Sequence, residues 1–152
     1  MSYQGARETP SKIPEKQHIS VRDHMATNLI TFTADQTVED AAKELMEANI
    51  SGAPVLDNDG KLLGIISEGD CLKALMSEKY HNHPSTGETV GDCMVTQVIH
   101  ISPETDIFEA ARMFLELRVR RFPVLDKSDK VIGQISQKDV IMAMNKVNGQ
   151  TW

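Results

Sequence analysis

The sequence has few cysteines, few aromatic residues and no long apolar run. Its two cysteines, Cys71 and Cys93, make no CxxC motif and stand inside apolar patterns, so we expect buried free thiols in a reducing compartment. Because no run of about 18 apolar residues occurs, no membrane-spanning helix is expected. Residues 1–17 are polar and lack the apolar centre of a signal peptide, which predicts a cytoplasmic protein.

An excess of positive charge is also missing. The 152 residues include 16 lysines and arginines against 22 aspartates and glutamates, which gives a net charge of −6. Proteins that bind nucleic-acid backbones normally carry a basic face, so this balance argues against a nucleic-acid partner. A local basic patch can still hold a small anion, and Arg118, Arg120 and Arg121 form the candidate.

What the chain does contain is an internal repeat. From Val21 onward the sequence matches itself without a gap at an offset of 69 residues, so that Val21 corresponds to Val90. Identical pairs include Asp23/Asp92, Met25/Met94, Ile30/Ile99, Ala41/Ala110, Ala42/Ala111, Pro54/Pro123, Gly64/Gly133, Ser67/Ser136 and Asp70/Asp139. Two copies are too few for a solenoid, so we expect them to face one another and to form one stable object.

Each copy predicts the order β-α-β-β-α after a short capped turn. Apolar residues at i, i+3, i+4, i+7 and i+8 predict amphipathic helices that begin near Val38 and Ile107. The predicted strands are β-rich runs at 29–33 and 98–102 and, in the first copy, 53–56 and 61–66, which flank the turn sequence at 57–60. Closing helices are predicted to open at Asp70 and Asp139.

The fold class is therefore α/β (α+β), built from two similar units. The predicted organisation is a flexible N-terminal arm at 1–18, repeats at 19–77 and 89–147, a polar linker at 78–88 and a C-terminal tail at 148–152. His81 and His83 alternate in the linker as metal ligands can. Since a third and a fourth ligand are missing from the pattern, no metal site is predicted.

Both copies place a Ser-x-x-Asp motif where a strand runs into a helix, as Ser67-x-x-Asp70 and Ser136-x-x-Asp139. A helix start offers free N–H groups and a positive dipole end, which suit an anion such as phosphate. A carboxylate there can accept hydrogen bonds from two ribose hydroxyls. The motif thus favours a nucleoside phosphate. It is equally a capping box, in which the serine caps the helix and the aspartate occupies its first turn.

Taken together, these residues resemble a tandem pair of cystathionine-β-synthase (CBS) domains, or Bateman module, over about residues 19–146. The shared features are Asp23-x-Met25, the Ala-Ala helix, Ala53-Pro54-Val55-Leu56-Asp57 and Gly64-Ile65-Ile66-Ser67-x-x-Asp70, each with its counterpart in the second copy. Because no catalytic domain, channel or helix-turn-helix accompanies the pair, the chain is similar to the stand-alone CBS-pair proteins.

The resemblance implies a three-stranded sheet and two helices in each repeat, with the repeats packed about a pseudo-two-fold axis. It implies two clefts between the sheets that take an adenosine derivative such as AMP, ADP, ATP or S-adenosylmethionine, and no metal or further cofactor. It also implies a disc-shaped homodimer. An apolar surplus on the helices supports the dimer, and it comprises Met46, Leu72, Leu75, Met76, Met142 and Met144.

The resemblance also assigns the site residues, since each cleft combines the motif of one repeat with the first strand and pre-proline loop of the other. The first cleft is expected to contain Ser67, Asp70, Val98, Ile99, His100, Arg120 and Arg121, and the second Ser136, Asp139, Leu29, Ile30, Thr31, Ser51 and Gly52. Arginine suits phosphate because its planar fork donates two parallel hydrogen bonds. Ser51 and Gly52 carry no charge, so the second cleft is expected to be the weaker. A solvated helix end is the competing interpretation of the arginine run.

The function expected from these features is that of a regulatory module, which binds an adenosine nucleotide and transmits its occupancy through the shape of a dimer to a partner such as an enzyme or transporter. The alternative is a structural interaction and dimerisation module with empty clefts. Catalysis is not expected, because Ser67 has no neighbouring base in the motif and no Ser-His-Asp or Cys-His pattern is evident.

Overall fold

The structure is a computed structural model that describes residues 18–81 and 88–148. Its first half contains a 3₁₀ turn, Val21–Asp23, then β1 (Phe32–Thr33), α1 (Val38–Ala48), β2 (Gly52–Leu56), β3 (Leu62–Ser67) and α2 (Glu68–His81). Its second half contains α3 (Val90–Cys93), α4 (Ile107–Leu117), β4 (Arg121–Leu125), β5 (Val131–Ser136) and α5 (Gln137–Asn148). Within the described residues, every helix is too short or too polar to cross a membrane.

Local chemistry explains where the elements begin and turn. The Thr37 hydroxyl caps α1 by accepting a hydrogen bond from the Asp40 N–H at 3.1 Å, which satisfies one of the free donors of a helix start. In the first hairpin Gly60 takes a φ of 84°, a left-handed conformation that costs glycine little. In the second hairpin Asp129, at the corresponding position, takes a φ of 67°, and aspartate tolerates that region better than most residues. The predicted turns are thus present.

The sheets are smaller than the sequence predicts. In the first repeat β1 pairs parallel with β2, which pairs antiparallel with β3, but β1 spans only Phe32–Thr33 and not 29–33. In the second repeat β4 pairs with β5, and the predicted strand at 98–102 is reduced to one parallel bridge between Ile101 and Val124. The expectation of two three-stranded sheets is therefore wrong for the second repeat. Val98 and Ile99 have β-type side chains, but they line a cleft instead of joining the sheet.

The closing helices start two residues earlier than predicted, at Glu68 and Gln137. The reason is that the preceding Ser67 and Ser136 act as caps, as described below. The helix α2 also extends through His81, into the first residues of the predicted linker. His83 lies outside the described residues, as do residues 1–17 of the predicted arm and 149–152 of the tail.

The two repeats exchange their opening turns. Val21 is fully buried in the core of the second repeat, and Val90 is fully buried in the core of the first. The N–H of Val21 donates to the Thr105 carbonyl at 2.8 Å, and the N–H of Val90 donates to the Gln36 carbonyl at 2.8 Å. Neither core is therefore complete without a turn from the other repeat.

The exchange follows the pseudo-two-fold axis that was predicted. Ala26 pairs antiparallel with Gln134, and Val95 pairs in the same way with Ile65, positions that the 69-residue offset relates. Lys61 pairs with its own counterpart Lys130, which places the axis between the two hairpins. These pairs confirm an α/β fold of two similar repeats related by a pseudo-two-fold, the first with the element order β-α-β-β-α and the second with its first strand reduced to the Ile101 bridge.

Candidate functional site

A cleft of about 280 Å³ opens between the two repeats, where β2 and β4 begin. Its volume is close to the lower end of the range for small-molecule sites, about 300 Å³. The lining residues are Ser51, Gly52, Ala53, Ile65, Ser67, Val95, Gln97, Val98, Ile99, Val119, Arg120, Arg121 and Gln134. The cleft thus draws on both repeats, and a ligand in it would touch both.

The cleft has an apolar wall and a cationic rim. Val95, Val98, Ile99 and Val119 supply aliphatic surface, and Ile99 remains 43% exposed, so a ligand in the cleft can contact it. A flat apolar ring system could cover such a wall, while the arginine side chains at the rim favour an anionic group. The combination is suited to a ligand that carries both a ring and a negative charge.

The two arginines of the rim differ in their surroundings. Arg121 is half-buried, and its guanidinium donates to the Ser51 hydroxyl at 2.9 Å and to the Gly52 carbonyl at 3.3 Å. Arg120 is exposed, and within the described residues its side chain makes no hydrogen bond or ion pair. Arg118 ends α4 in the left-handed conformation, with a φ of 56°, and does not line the cleft.

At the edge of the cleft, Ser67 and Asp70 form the capping box that the sequence left as one of two interpretations. Oδ2 of Asp70 accepts hydrogen bonds from the Ser67 N–H and hydroxyl, both at 2.9 Å, and the Asp70 N–H donates to the Ser67 hydroxyl oxygen at 3.2 Å. Ser136 and Asp139 repeat the two backbone bonds at 2.9 and 3.2 Å. In both repeats Oδ1 accepts no hydrogen bond from the described residues, so one oxygen of each carboxylate has capacity for a ligand.

The structure brings Ser67, Val98, Ile99, Arg120 and Arg121 together on the wall of this cleft. Two residues predicted for the same cleft are not on its wall: Asp70 lies one helical turn beyond Ser67, and His100 is exposed next to Ile99. The wall also includes Ser51 and Gly52, which the sequence grouped with the second cleft. The grouping differs because the pseudo-two-fold sets the start of β2 opposite the start of β4, so that corresponding residues face one another.

The remaining second-cleft residues lie in two places. Ser136 and Asp139 stand at the start of α5, and Leu29, Ile30 and Thr31 form the segment that leads into β1. Among the described residues, 18–81 and 88–148, no hydrogen bond joins the segment at 29–31 directly to Ser136 or Asp139. Ile30 is 36% exposed, as its counterpart Ile99 is exposed in the first cleft.

Sequence reasoning missed several residues of the wall, notably Gln97 and Gln134. A signal for Gln134 was present, since it replaces Ile65 of the first copy in an otherwise apolar strand. Nothing in the local pattern marks Val95, which reaches the cleft only because its backbone pairs with Ile65 at 2.9 Å in both directions.

The cysteines lie outside the lining of the cleft, and neither has an activated thiol. Burial raises the pKa of Cys71. Burial and a hydrogen bond to the Glu88 carboxylate at 2.9 Å raise the pKa of Cys93 to about 12. Cys71 is buried as predicted, whereas Cys93 is only half-buried, which corrects that expectation. Within the described residues, no cluster of three or more His, Cys, Asp or Glu side chains is placed to hold a metal ion.

The family model for the CBS domain matches residues 21–77 and 90–146. CBSX2, a chloroplastic CBS domain-containing protein of Arabidopsis thaliana, is 28% identical over 148 residues, a match that covers 82% of this chain and 62% of CBSX2. The chain therefore spans less than two thirds of that relative.

Two solved structures share the fold. The crystal structure of CBSX2 in complex with AMP is 31% identical with a TM-score of 0.74, and the match covers 85% of this chain and 98% of the other. The CBS domain pair of protein MJ0100, in complex with 5′-methylthioadenosine and S-adenosyl-L-methionine, is 26% identical with a TM-score of 0.70, and the match covers 86% of this chain and 99% of the other.

Proposed function

We propose that this chain, which belongs to the CBS domain family and carries two CBS domains in tandem, is a regulatory module that binds an adenosine nucleotide in the cleft between its repeats. The observation that supports this most is the joint presence of Arg120, Arg121 and the apolar Val98 and Ile99 in one cleft. The similar CBSX2 and MJ0100 domain pairs hold AMP and adenosyl compounds respectively. AMP, ADP or ATP fits the cationic rim better than an uncharged adenosyl compound would.

In this proposal the adenine ring lies against Val98 and Ile99, the phosphate lies at the arginine rim, and the ribose faces the Ser67–Asp70 helix start. Oδ1 of Asp70 is the acceptor for the ribose hydroxyls, since Oδ2 is already used by Ser67. His100, exposed beside Ile99, flanks the ring. Because the ligand touches both repeats, it would favour one arrangement of them over another, and only such a difference in affinity can shift a conformation.

A second, weaker site is proposed at the symmetry-related position. It combines Ser136 and Asp139 with Leu29, Ile30 and Thr31. Ser51 and Gly52, which hold the positions of the two arginines in the first repeat, carry no charge and lie on the wall of the first cleft. Without a cation at those positions this site is expected to prefer a ligand with less negative charge. We further propose that two copies of the chain associate, and that a separate protein such as an enzyme or transporter responds to occupancy.

One observation favours the alternative, a structural interaction module with empty clefts. Both Ser-x-x-Asp motifs are fully accounted for as capping boxes, so a ligand is not needed to explain them. The alternative does not explain Arg120, an exposed cation beside an exposed isoleucine with no protein partner in the described structure.

A thermal-shift screen followed by titration calorimetry tests the proposal. Adenosine, AMP, ADP, ATP, S-adenosylmethionine and methylthioadenosine are each added to the full chain, and GMP serves as a matched control for the base. A ligand present at 100 times its Kd raises stability by about 2.7 kcal/mol through mass action. We expect AMP, ADP or ATP to raise the melting temperature more than adenosine does. A chain that responds to none of them would support the scaffold.

A further inference from the structure

Arg121 already has partners in the protein. Its Nη2 donates to the Ser51 hydroxyl at 2.9 Å and its Nη1 donates to the Gly52 carbonyl at 3.3 Å. Arg121 is the first residue of β4 in the second repeat. Its partners belong to the first repeat, where Gly52 is the first residue of β2 and Ser51 precedes it. The neighbouring Arg120 lines the same cleft, is exposed, and donates to nothing within the described residues.

The contact of Arg121 extends to the helix that carries the Ser67 motif. The carbonyl of Ser51 accepts a hydrogen bond from the Glu68 N–H at 2.8 Å, and Glu68 is the first residue of α2. Arg121 therefore holds, through Ser51, the loop on which the start of α2 rests. If Arg121 turned to a ligand phosphate, both bonds to the first repeat would be lost, and the gain would be offset. Arg120 can donate to a phosphate without breaking any contact.

From these contacts we infer that the two arginines divide their roles. Arg121 is a positioning residue that ties the two repeats together across the cleft, and Arg120 alone donates to the phosphate of the ligand. The part that concerns Arg120 rests on the proposed function. The part that concerns Arg121 does not, since it is a statement about the unliganded chain.

The ligand arm of the test compares AMP with adenosine by titration calorimetry at about 0.15 M salt. Arg120→Ala is expected to lower the affinity for AMP by about 10- to 100-fold, because one or two charge-assisted hydrogen bonds are lost, and to leave the affinity for adenosine unchanged. Arg121→Ala is expected to lower the affinities for AMP and for adenosine by a similar factor, roughly 3- to 10-fold, because a looser cleft is less preorganised. Lys127→Ala removes an exposed positive charge from the turn that follows β4 and serves as the control.

The stability arm needs no ligand. Arg121→Ala and Ser51→Ala are each expected to lower the melting temperature by about 2–6 °C, and the double variant by no more than the larger single loss, because both delete the same bond. Arg121→Lys keeps the charge and one donor, so it should recover part of the loss. Arg120→Ala should leave the melting temperature unchanged.

Two results would overturn the inference. One is an Arg121→Ala protein that loses AMP selectively while its melting temperature is that of the wild type. The other is strict additivity of Arg121→Ala and Ser51→Ala, which would mean that the two side chains do not act together. A wild-type chain that binds no adenosine compound would instead end the proposed function and the role of Arg120, and the melting temperatures alone would then decide the role of Arg121.

Discussion

Asp70 and Asp139 each cap a helix, and we propose that each also faces a ligand. The two roles use different atoms, since Oδ2 accepts from the preceding serine and Oδ1 points to no described donor. Replacing either aspartate by alanine should remove the carboxylate half of the capping box, leave the bond from the backbone N–H to the serine hydroxyl, and cost about 1 kcal/mol of unfolding free energy. This cost should be similar in the two repeats, because the backbone bonds have the same lengths.

Nucleoside affinity should distinguish Asp70 from Asp139, although the free energy of unfolding should not. Asp70→Ala is expected to weaken nucleoside binding by about 1.5–3 kcal/mol, the range for a hydrogen bond to a charged acceptor, and Asp139→Ala by less, because the cleft near Asp70 has the arginine rim. Calorimetric titration with AMP measures both, and urea unfolding of each variant corrects for the cap. An equal loss, or a greater one for Asp139→Ala, would show that the stronger cleft is the other one.

The Cys93 thiol gives a prediction for pH. Burial and the Glu88 carboxylate raise its pKa from 9.0 to about 12, so the folded chain keeps this proton at pH values where the unfolded chain has lost it. The corresponding stability is therefore fully present below about pH 9 and is lost as the pH rises toward 12. At pH 8 iodoacetamide should modify Cys93 much more slowly in the folded chain than in urea, because only the thiolate reacts.

Glu88→Gln is the matched variant for that measurement. It keeps the size of the side chain but removes its charge, which lowers the pKa of Cys93 and should speed alkylation, as site-resolved mass spectrometry can follow. Cys71, whose thiol is protected by burial foremost, provides the internal control and should react at an unchanged rate. Equal acceleration of both cysteines would point to general loosening of the first repeat and not to the Glu88 contact.

Among the strands, β3 and β5 pack closely on the exchanged segments through one glycine each. A Cβ added to Gly64 would lie 2.6 Å from the Val95 carbonyl oxygen, and one added to Gly133 would lie 3.0 Å from the Ala26 carbonyl oxygen and 2.5 Å from the Met25 sulfur. Gly64→Ala should therefore destabilise the chain by about 1–3 kcal/mol, the usual cost of overpacking. Gly133→Ala should cost less than Gly64→Ala, because the backbone oxygen there lies at 3.0 Å and the closer contacts are with the flexible Met25 side chain.

Gly69→Ala is the control, since a Cβ there meets only the Ser67 hydroxyl at 3.7 Å. Alanine in the first turn of α2 should be neutral or stabilise by up to about 1 kcal/mol. Urea denaturation of the three variants gives the comparison. If Gly64→Ala were as stable as Gly69→Ala, the exchanged segment at Val95 would not pack on β3 as described.

Sequence patterns predicted the helices well and the first strands poorly, for a physical reason. The helices α1 and α4 are amphipathic over three turns and carry a cap, so the pattern and the cap agree at Thr37 and Asp106. The run at 98–102 has β-type residues, but a strand also needs a partner edge, which only Ile101 finds. The exact start of α2 could not be predicted, because Ser67 is both the last residue of β3 and the cap of α2.

The sequence predicts the two repeats but not how they pack against each other. The 69-residue offset predicts two equal units, but it cannot say that Val21 completes the core of the second repeat and Val90 that of the first. Both residues are apolar and follow a hydroxyl residue, of which Thr89 caps its turn and Ser20 does not. Nothing in that local pattern indicates the core into which each valine packs. The same exchange carries Val95 to the cleft, which is why the wall could be predicted only in part.

The complete unit leaves two apolar helix faces uncovered. One groove of about 250 Å³ is lined by residues of α1 and α2, including Met46 and Leu72, which are 70% and 66% exposed. The other, of about 230 Å³, is lined by α4 and α5, including Leu115 at 81% and Ile141 at 49%. Apolar residues grouped in this way usually mark an interaction surface. The pseudo-two-fold sets them at related positions, as association of two copies through both faces would require.

We therefore expect a homodimer that charge on either face disrupts. Leu72→Glu and Ile141→Glu each place a carboxylate where a second copy would bury it, at a cost of several kcal/mol for an unpaired buried charge, so both variants should be monomers. Leu63→Glu, on β3 and 37% exposed, is the control and should leave the assembly unchanged. Light scattering across a hundredfold range of protein concentration, with and without AMP, measures the mass. Wild-type chain that stays monomeric at the highest concentration in both conditions would contradict the dimer.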